Sequence, residues 1–168
     1  MSEHAVSVLV LGDTHLTDGA RLPTAVFELA GRADVILHTG DVVTADVLAS
    51  LGAFAPVTAV RGNCDDGALS TQLEERVTRT IGGVGVGMVH DAGATSGRHE
   101  RLRGWFAECD IALYGHSHMP ELAYAIDGLL VINPGSPTQR RRAPTHTVAW
   151  LELAAGAVRT ANLVEVER

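Results

Sequence analysis

The chain has 168 residues, with 13 basic side chains, all Arg, against 20 acidic ones, for a formal charge of −7. That balance leaves no basic footprint for stable binding of a nucleic-acid polymer, and no stretch approaches the roughly 18 consecutive apolar residues of a membrane span. The length and the 46% hydrophobic content suit one domain, residues 1–168, with its own core. Two cysteines, and a start "MSEHAVSVLVLGDTH" without a basic leader, predict a cytoplasmic protein in which Cys64 and Cys109 stay reduced.

In chain order, five apolar runs lead the reading: "VSVLVLGD" (6–13), "DVILHTGD" (34–41), "VTAVRGN" (57–63), "GVGVGMVHD" (83–91) and "DIALYGHSH" (110–118). Each begins as a buried strand rich in Val, Ile and Leu. Helical stretches fall near 22–30, 44–52, 67–76 and 98–108. Alternating strands and helices predict an α/β fold with a largely parallel sheet. Three hairpin signals add antiparallel strands, turning at Gly82-Gly83, Asp127-Gly128 and Ala155-Gly156. The sum is a two-sheet sandwich with helices outside.

The chemistry sits where the runs stop. The first ends in Asp13 and His15, the second in Asp41, the third in Asn63, the fourth in His90, and the fifth in His116 and His118. Ligands of open α/β sheets bind outside the carboxyl ends of the strands, so distant parts of the chain bring these seven side chains to one rim. Two carboxylates, one amide oxygen and four imidazoles are too many for one tetrahedral ion and suit two ions. Manganese, iron, zinc, nickel or cobalt would fit such an O/N set. The i, i+2 spacing of Asp13/His15 and His116/His118 puts both members on one side if the backbone stays extended. A lone His at a strand end is usually just solvated; five successive runs ending alike are not explained that way.

The ordered set "GDTH", "GD", "GNCD", a His after a strand, "GHSH" and "NPGS" resembles the calcineurin-like metallophosphoesterases, across about residues 6–142. The similarity is strongest to their small, single-domain, YfcE-like phosphodiesterase branch. The resemblance implies a four-layer sandwich of two mixed β-sheets flanked by helices. It implies two divalent metal ions, manganese first: one held by Asp13, His15 and His118, the other by Asn63, His90 and His116, with Asp41 shared. Two such ions acidify a water that attacks phosphorus in line, so the expected activity is hydrolysis of a small phosphate ester, a diester before a monoester. Asp41, Asn63 and His90 are the expected catalytic residues, and Arg61 and Arg141 the substrate-binding candidates, Arg61 reading equally as a shield for the acidic site and Arg141 as a solvated surface residue. A homodimer is the expected assembly. The alternative is a non-catalytic scaffold of the same fold, as in a retromer subunit.

Several neighbours keep two readings. His38 reads as a buried group behind the ligands, and Asn133 to Ser136 as the floor of the site. Ser117 lies between two ligands but lacks a base. Asp65 reads either as a charge near the site or as a helix N-cap. Cys64 stands where larger relatives keep a His, and Asp91 follows His90 where relatives read His-Gly-His. Both departures remove candidate proton donors. His4, His99 and His146 read as surface residues.

Overall fold

The computed structural model describes residues 4–167. The first five-stranded sheet contains β1 (Val6–Leu11), β2 (Val35–His38), β3 (Val57–Ala59), β9 (Thr147–Ala154) and β10 (Ala157–Glu165), in the order β10-β9-β1-β2-β3. The second, also of five strands, contains β4 (Arg76–Ile81), β5 (Val84–Val89), β6 (Ile111–Leu113), β7 (Glu121–Tyr124) and β8 (Leu130–Asn133), in the order β4-β5-β6-β8-β7. Helices α1 (Thr24–Ala30) and α2 (Ala45–Gly52) cover the first sheet, α4 (Arg98–Trp105) covers the second, and α3 (Gly67–Gln72) follows β3.

The five apolar runs do not share one parallel sheet. The first three pair in parallel as β1, β2 and β3, while β5 and β6 pair in parallel with β8 in the second sheet. The antiparallel strands are divided between both sheets. Short turns keep β4 beside β5 and β7 beside β8, and the β9–β10 hairpin pairs along the free side of β1. Gly82 and Gly83, at φ 57° and 79°, make the left-handed turn that the β4–β5 hairpin requires.

Strand alternation explains the layers. Val8 and Val10 of β1 point between the sheets, where they join Met88, Ile111, Leu113 and Ile132. Leu9 and Leu11 point the other way, onto Val26 of α1 and Val47 and Leu51 of α2. The outer face of the second sheet packs Val89, Ala112 and Val131 against Leu102 and Phe106. The "GVGVGM" stretch is the clearest case. Its large side chains, Val84, Val86 and Met88, face the inter-sheet core. Gly87 faces outward, directly beneath Phe106; a Cβ there would lie 2.3 Å from the ring's Cγ.

No helix among the described residues is long and apolar enough to cross a membrane. The packing at Gly87 predicts that Gly87→Ala lowers stability by about 1–3 kcal/mol through overpacking, or roughly 5 °C in melting temperature. Thermal melts followed by circular dichroism check this; an unchanged midpoint contradicts it.

Candidate metal centre

The rim is built by strands whose pairing outlasts them. Beyond β1 and β2 the two chains stay zipped, with Thr39 N–H donating to Leu11 O (2.9 Å), Asp13 N–H to Gly40 O (2.9 Å) and His15 N–H to Asp41 O (3.0 Å). The backbone there is not extended, contrary to the condition attached to the i, i+2 spacing. Asp13, His15, Asp41, His116 and His118 all have left-handed φ, between 46° and 69°. Side chains of that kind rarely adopt this region, and it persists where the surroundings over-determine it. Here they do. A Cβ on Gly62 would lie 2.1 Å from the Asp41 nitrogen, so the loop after β3 lies directly against the loop after β2.

All seven predicted ligands converge. Asp13, His15 and His118 form one group, and Asp41, His90 and His116 another, each with its ligand atoms within 4.8 Å of one another. In the first, His15 Nε2 lies 3.2 Å from His118 Nε2, and Asp13 Oδ1 lies 3.5 Å from His118 Nε2. In the second, Asn63 Oδ1 lies 2.9 Å from His90 Nε2 and 3.1 Å from His116 Nδ1. Asp41 Oδ2 stands between the groups, 3.3 Å from His15 Nε2 and 3.4 Å from His90 Nε2.

Outer hydrogen bonds set the imidazole tautomers. A carbonyl can only accept, so His90 Nδ1–H donates to Thr39 O (2.8 Å) and His118 Nδ1–H donates to Gln139 O. In their neutral forms both rings therefore turn an Nε2 lone pair inward, the arrangement that ligating histidines use. Lone pairs, carboxylates and an amide oxygen crowded this closely repel one another unless a cation or protons lie among them. The donor set fits divalent ions with O/N preferences.

A profile of the calcineurin-like phosphoesterase superfamily domain matches residues 6–156. The chain belongs to that superfamily. A probable metallophosphoesterase of Methanocaldococcus jannaschii is 38% identical over 136 residues, covering 79% of this chain and 68% of that one. Among solved structures, vacuolar protein sorting 29 of Cryptosporidium parvum superposes with a TM-score of 0.78 at 21% identity, covering 99% of this chain and 100% of that one. A structure described as a novel archaeal phosphodiesterase superposes with a TM-score of 0.70 at 19% identity, covering 95% and 100%. At those identities the two structures show the fold, which is the four-layer metallophosphoesterase sandwich.

The two rim carboxylates of the chain are shifted in opposite directions. Burial pushes Asp13 up to about 7, against the pull of the nearby His90. Burial also works upward on Asp41, but the hydrogen bond with His90, the Cys64 N–H (2.8 Å) and the charges of His90 and His15 outweigh it, so Asp41 stays well below the usual carboxylate range. Burial pushes His118 down to about 4 and lowers His15. His90 is opposed by burial, yet Asp41 and Asp13 raise it. Behind the rim, burial pushes His38 down to about 3; its Nδ1 accepts from Gly40 N–H (3.2 Å) and its Nε2 bonds the Thr14 hydroxyl (3.1 Å).

The remaining predicted residues surround the seven. Arg61 is exposed, donates to Ser70 O (3.3 Å), and lines a cavity of about 240 Å³ with Glu75, Asp91, Asn63, His90 and His116. Arg141, also exposed, donates from Nη1 to His116 O (3.4 Å). Asn133 Nδ2 donates to Gly115 O (3.2 Å) and to Ser117 Oγ (3.0 Å), and Ser136 Oγ donates to Asp13 O (2.7 Å), so the "NPGS" loop underpins two ligand loops.

Four details differ from the expectations or extend them. Asp65 does not cap a helix. Its carboxylate accepts from Gly62 N–H (2.6 Å) and Val43 N–H (2.9 Å), while Asp66 caps α3 through Leu69 N–H (2.8 Å). Asp91 opens its loop by accepting from Gly93 N–H (2.8 Å). His99 is no free surface residue; it is half-buried and pairs with Glu121 at 2.7 Å. Cys64 lies nearer the centre than its sequence context indicates, with Sγ within 4.8 Å of ligand atoms of His15 and Asp41. Burial and the Asp41 charge raise its pKa, so it remains a neutral thiol.

Because Asp13 titrates near 7, a cation entering below that pH must expel its proton. We therefore predict that Mn²⁺ affinity rises as pH increases from 5.5 to 7, by roughly tenfold per unit for each proton expelled, and flattens above. Calorimetry at pH 6 in buffers of different ionisation enthalpy should detect release of about one proton or more. An affinity that does not change across this range contradicts the assignment.

Proposed function

We propose that this metallophosphoesterase is a dinuclear, metal-dependent phosphodiesterase acting on a small phosphate ester. Asp13, His15 and His118 would hold the first ion, Asn63, His90 and His116 the second, and Asp41 both. The observation that carries the proposal is the position of Asp41 Oδ2, 3.3 Å from a ring nitrogen of the first group and 3.4 Å from one of the second. When bound, two divalent ions supply Lewis acidity and an acidified water as the nucleophile. Manganese is the first choice, with nickel, zinc, iron or cobalt as alternatives.

The chain's own residues do the rest. Asp41 remains ionised, so its carboxylate is available to two cations at once. His90 and His118 are held with Nε2 inward by their carbonyl partners. Arg61, in the wall of the cavity beside the centre, and Arg141, bonded to the His116 carbonyl, would pair with phosphate oxygens. Ser117 Oγ is occupied, accepting from Met119 N–H (3.2 Å) and the Asn133 amide, which fits a reaction without a protein nucleophile. Cys64 is a poor proton donor, and Asp91 is turned to its own loop, so good leaving groups are favoured. An acidic chain of this size suits a cytoplasmic enzyme for small esters rather than polymers, and a homodimer remains part of the proposal. The likeness to vacuolar protein sorting 29 fits a scaffold equally well by fold, but no observation favours it.

Purified protein should contain near two metals per chain by elemental analysis and hydrolyse bis-p-nitrophenyl phosphate with Mn²⁺. Asp41→Asn and His116→Ala should each lose at least about a hundredfold in kcat/KM without unfolding. Undiminished turnover in both variants sinks the proposal, and metal-free protein that docks a partner favours the scaffold. Cys64→His should accelerate esters of poor leaving groups more than activated ones; equal acceleration of both counts against the missing-acid account.

A further inference from the structure

The half-buried polar cluster behind the rim has no part in the chemistry above. Arg98, at the start of α4, stacks on the Tyr114 ring with its guanidinium carbon 4.9 Å from the centroid. Its Nη1 donates to the Tyr114 hydroxyl (3.0 Å) and its Nη2 to Gly93 O (3.0 Å). The Tyr114 hydroxyl donates to Glu121 Oε2, and Glu121 Oε1 accepts from His99 at 2.7 Å. Arg101, one turn along α4, donates to Ala92 O (2.9 Å) and Ala94 O (2.6 Å).

The connectivity of this cluster matters more than any one bond. Tyr114 lies two residues before His116, and Glu121 three residues after His118, so their contact closes the loop 115–120 at its neck. The two arginines grip the segment 92–94 that follows His90. Gly115 N–H donates to His90 O (2.9 Å), which joins the two ligand loops directly. The backbones of His90, His116 and His118 are thereby enclosed in one hydrogen-bonded ring, of which Tyr114 is the shared member. The left-handed φ of His116 and His118, 69° and 59°, needs an external constraint of this kind. The cluster also carries a cost: Arg98 Nε is buried without a hydrogen-bond partner.

We propose that Tyr114, through Arg98 and Glu121, is a positioning residue that holds the loop 115–120 in its metal-binding form. This inference rests on the ligand reading of His90, His116 and His118. It assigns the hydroxyl of Tyr114, rather than its ring, the task of keeping these three imidazoles at ligand spacing before any ion arrives.

The test is Tyr114→Phe, which keeps the ring and the stacked Arg98 but removes the hydroxyl. Free Mn²⁺ measured by electron paramagnetic resonance during titration should show a dissociation constant raised roughly tenfold. The metal-free melting temperature should stay within a few degrees of wild type. The Mn²⁺ concentration for half-maximal hydrolysis should rise in parallel, and saturating Mn²⁺ should restore kcat, which a plain folding defect would not allow. Glu121→Gln, which keeps an acceptor for the hydroxyl, should weaken binding less than Glu121→Ala, and Tyr124→Phe, at the exposed end of β7, should change nothing. A Tyr114→Phe affinity within twofold of wild type overturns the proposal alone. Wild-type protein that binds no Mn²⁺ overturns the ligand reading together with it. If Tyr114→Phe does not fold, the Glu121 pair decides by the same measure.

Discussion

The packing of Gly62 against Asp41 governs the geometry of the rim. With no side chain at 62, the loop after β3 comes down onto the loop after β2, and the Cys64 N–H reaches Asp41 Oδ1 at 2.8 Å. That approach turns Asp41 Oδ2 toward His15 and His90 and sets Asn63 beside His90 and His116. Asp65 then reinforces the contact by accepting from Gly62 and Val43. Any side chain at 62 would meet the Asp41 backbone, and the link between the two ligand groups would open.

The electrostatics follow from how each carboxylate is served by its surroundings. Asp13 is fully buried, and its main compensation comes from His90 and the His116 N–H, so burial prevails. Asp41 is also shut off from solvent but less deeply surrounded by protein, and it gains the Cys64 N–H and two close imidazoles, so compensation prevails. Environments that push like groups apart are what a site needs to handle charge and protons separately. The left-handed residues add strain to this arrangement, which the zipped loops and the "NPGS" floor sustain.

Much of the centre was legible in the sequence because the signal was a repeated one: an apolar run, a glycine in four of the five cases, then a side chain able to ligate. Asp13, His15, Asp41, Asn63, His90, His116 and His118 all lie at such ends, and strand direction alone carries them to one rim. The hairpins were legible from their turn residues. The partition into two sheets was not, because five similar runs do not encode which neighbour each will choose. Nor was the left-handed backbone of these residues, since Asp and His, though more often found there than most side chains, do not mark positive φ as Gly does. Asp66 rather than Asp65 caps α3 because the tight turn at Gly62 commits Asp65 elsewhere, a tertiary effect hidden from local pattern. The His99–Glu121–Tyr114 cluster was missed for a similar reason: its members come from three separated parts of the chain, and while Tyr114 reads as part of a buried run, His99 and Glu121 each resemble an ordinary surface residue.

The two ligand groups share one further property, which concerns mechanics rather than chemistry. Asp13 and His15 follow strand β1 of the first sheet, whereas His118 follows β6 of the second; Asp41 and Asn63 again follow the first sheet, and His90 and His116 the second. Each group therefore straddles the seam of the sandwich. Between the sheets the contact is made by aliphatic side chains such as Val10, Met88 and Ile132, which resist separation but are themselves non-directional, while the β9–β10 turn is pinned to the β4–β5 turn by Gly156 N–H donating to Gly82 O (2.9 Å). A cation seated in either group would act as a rivet across that seam, fixing the lateral register of the two sheets at the edge where hydrocarbon packing gives way to the clustered polar side chains.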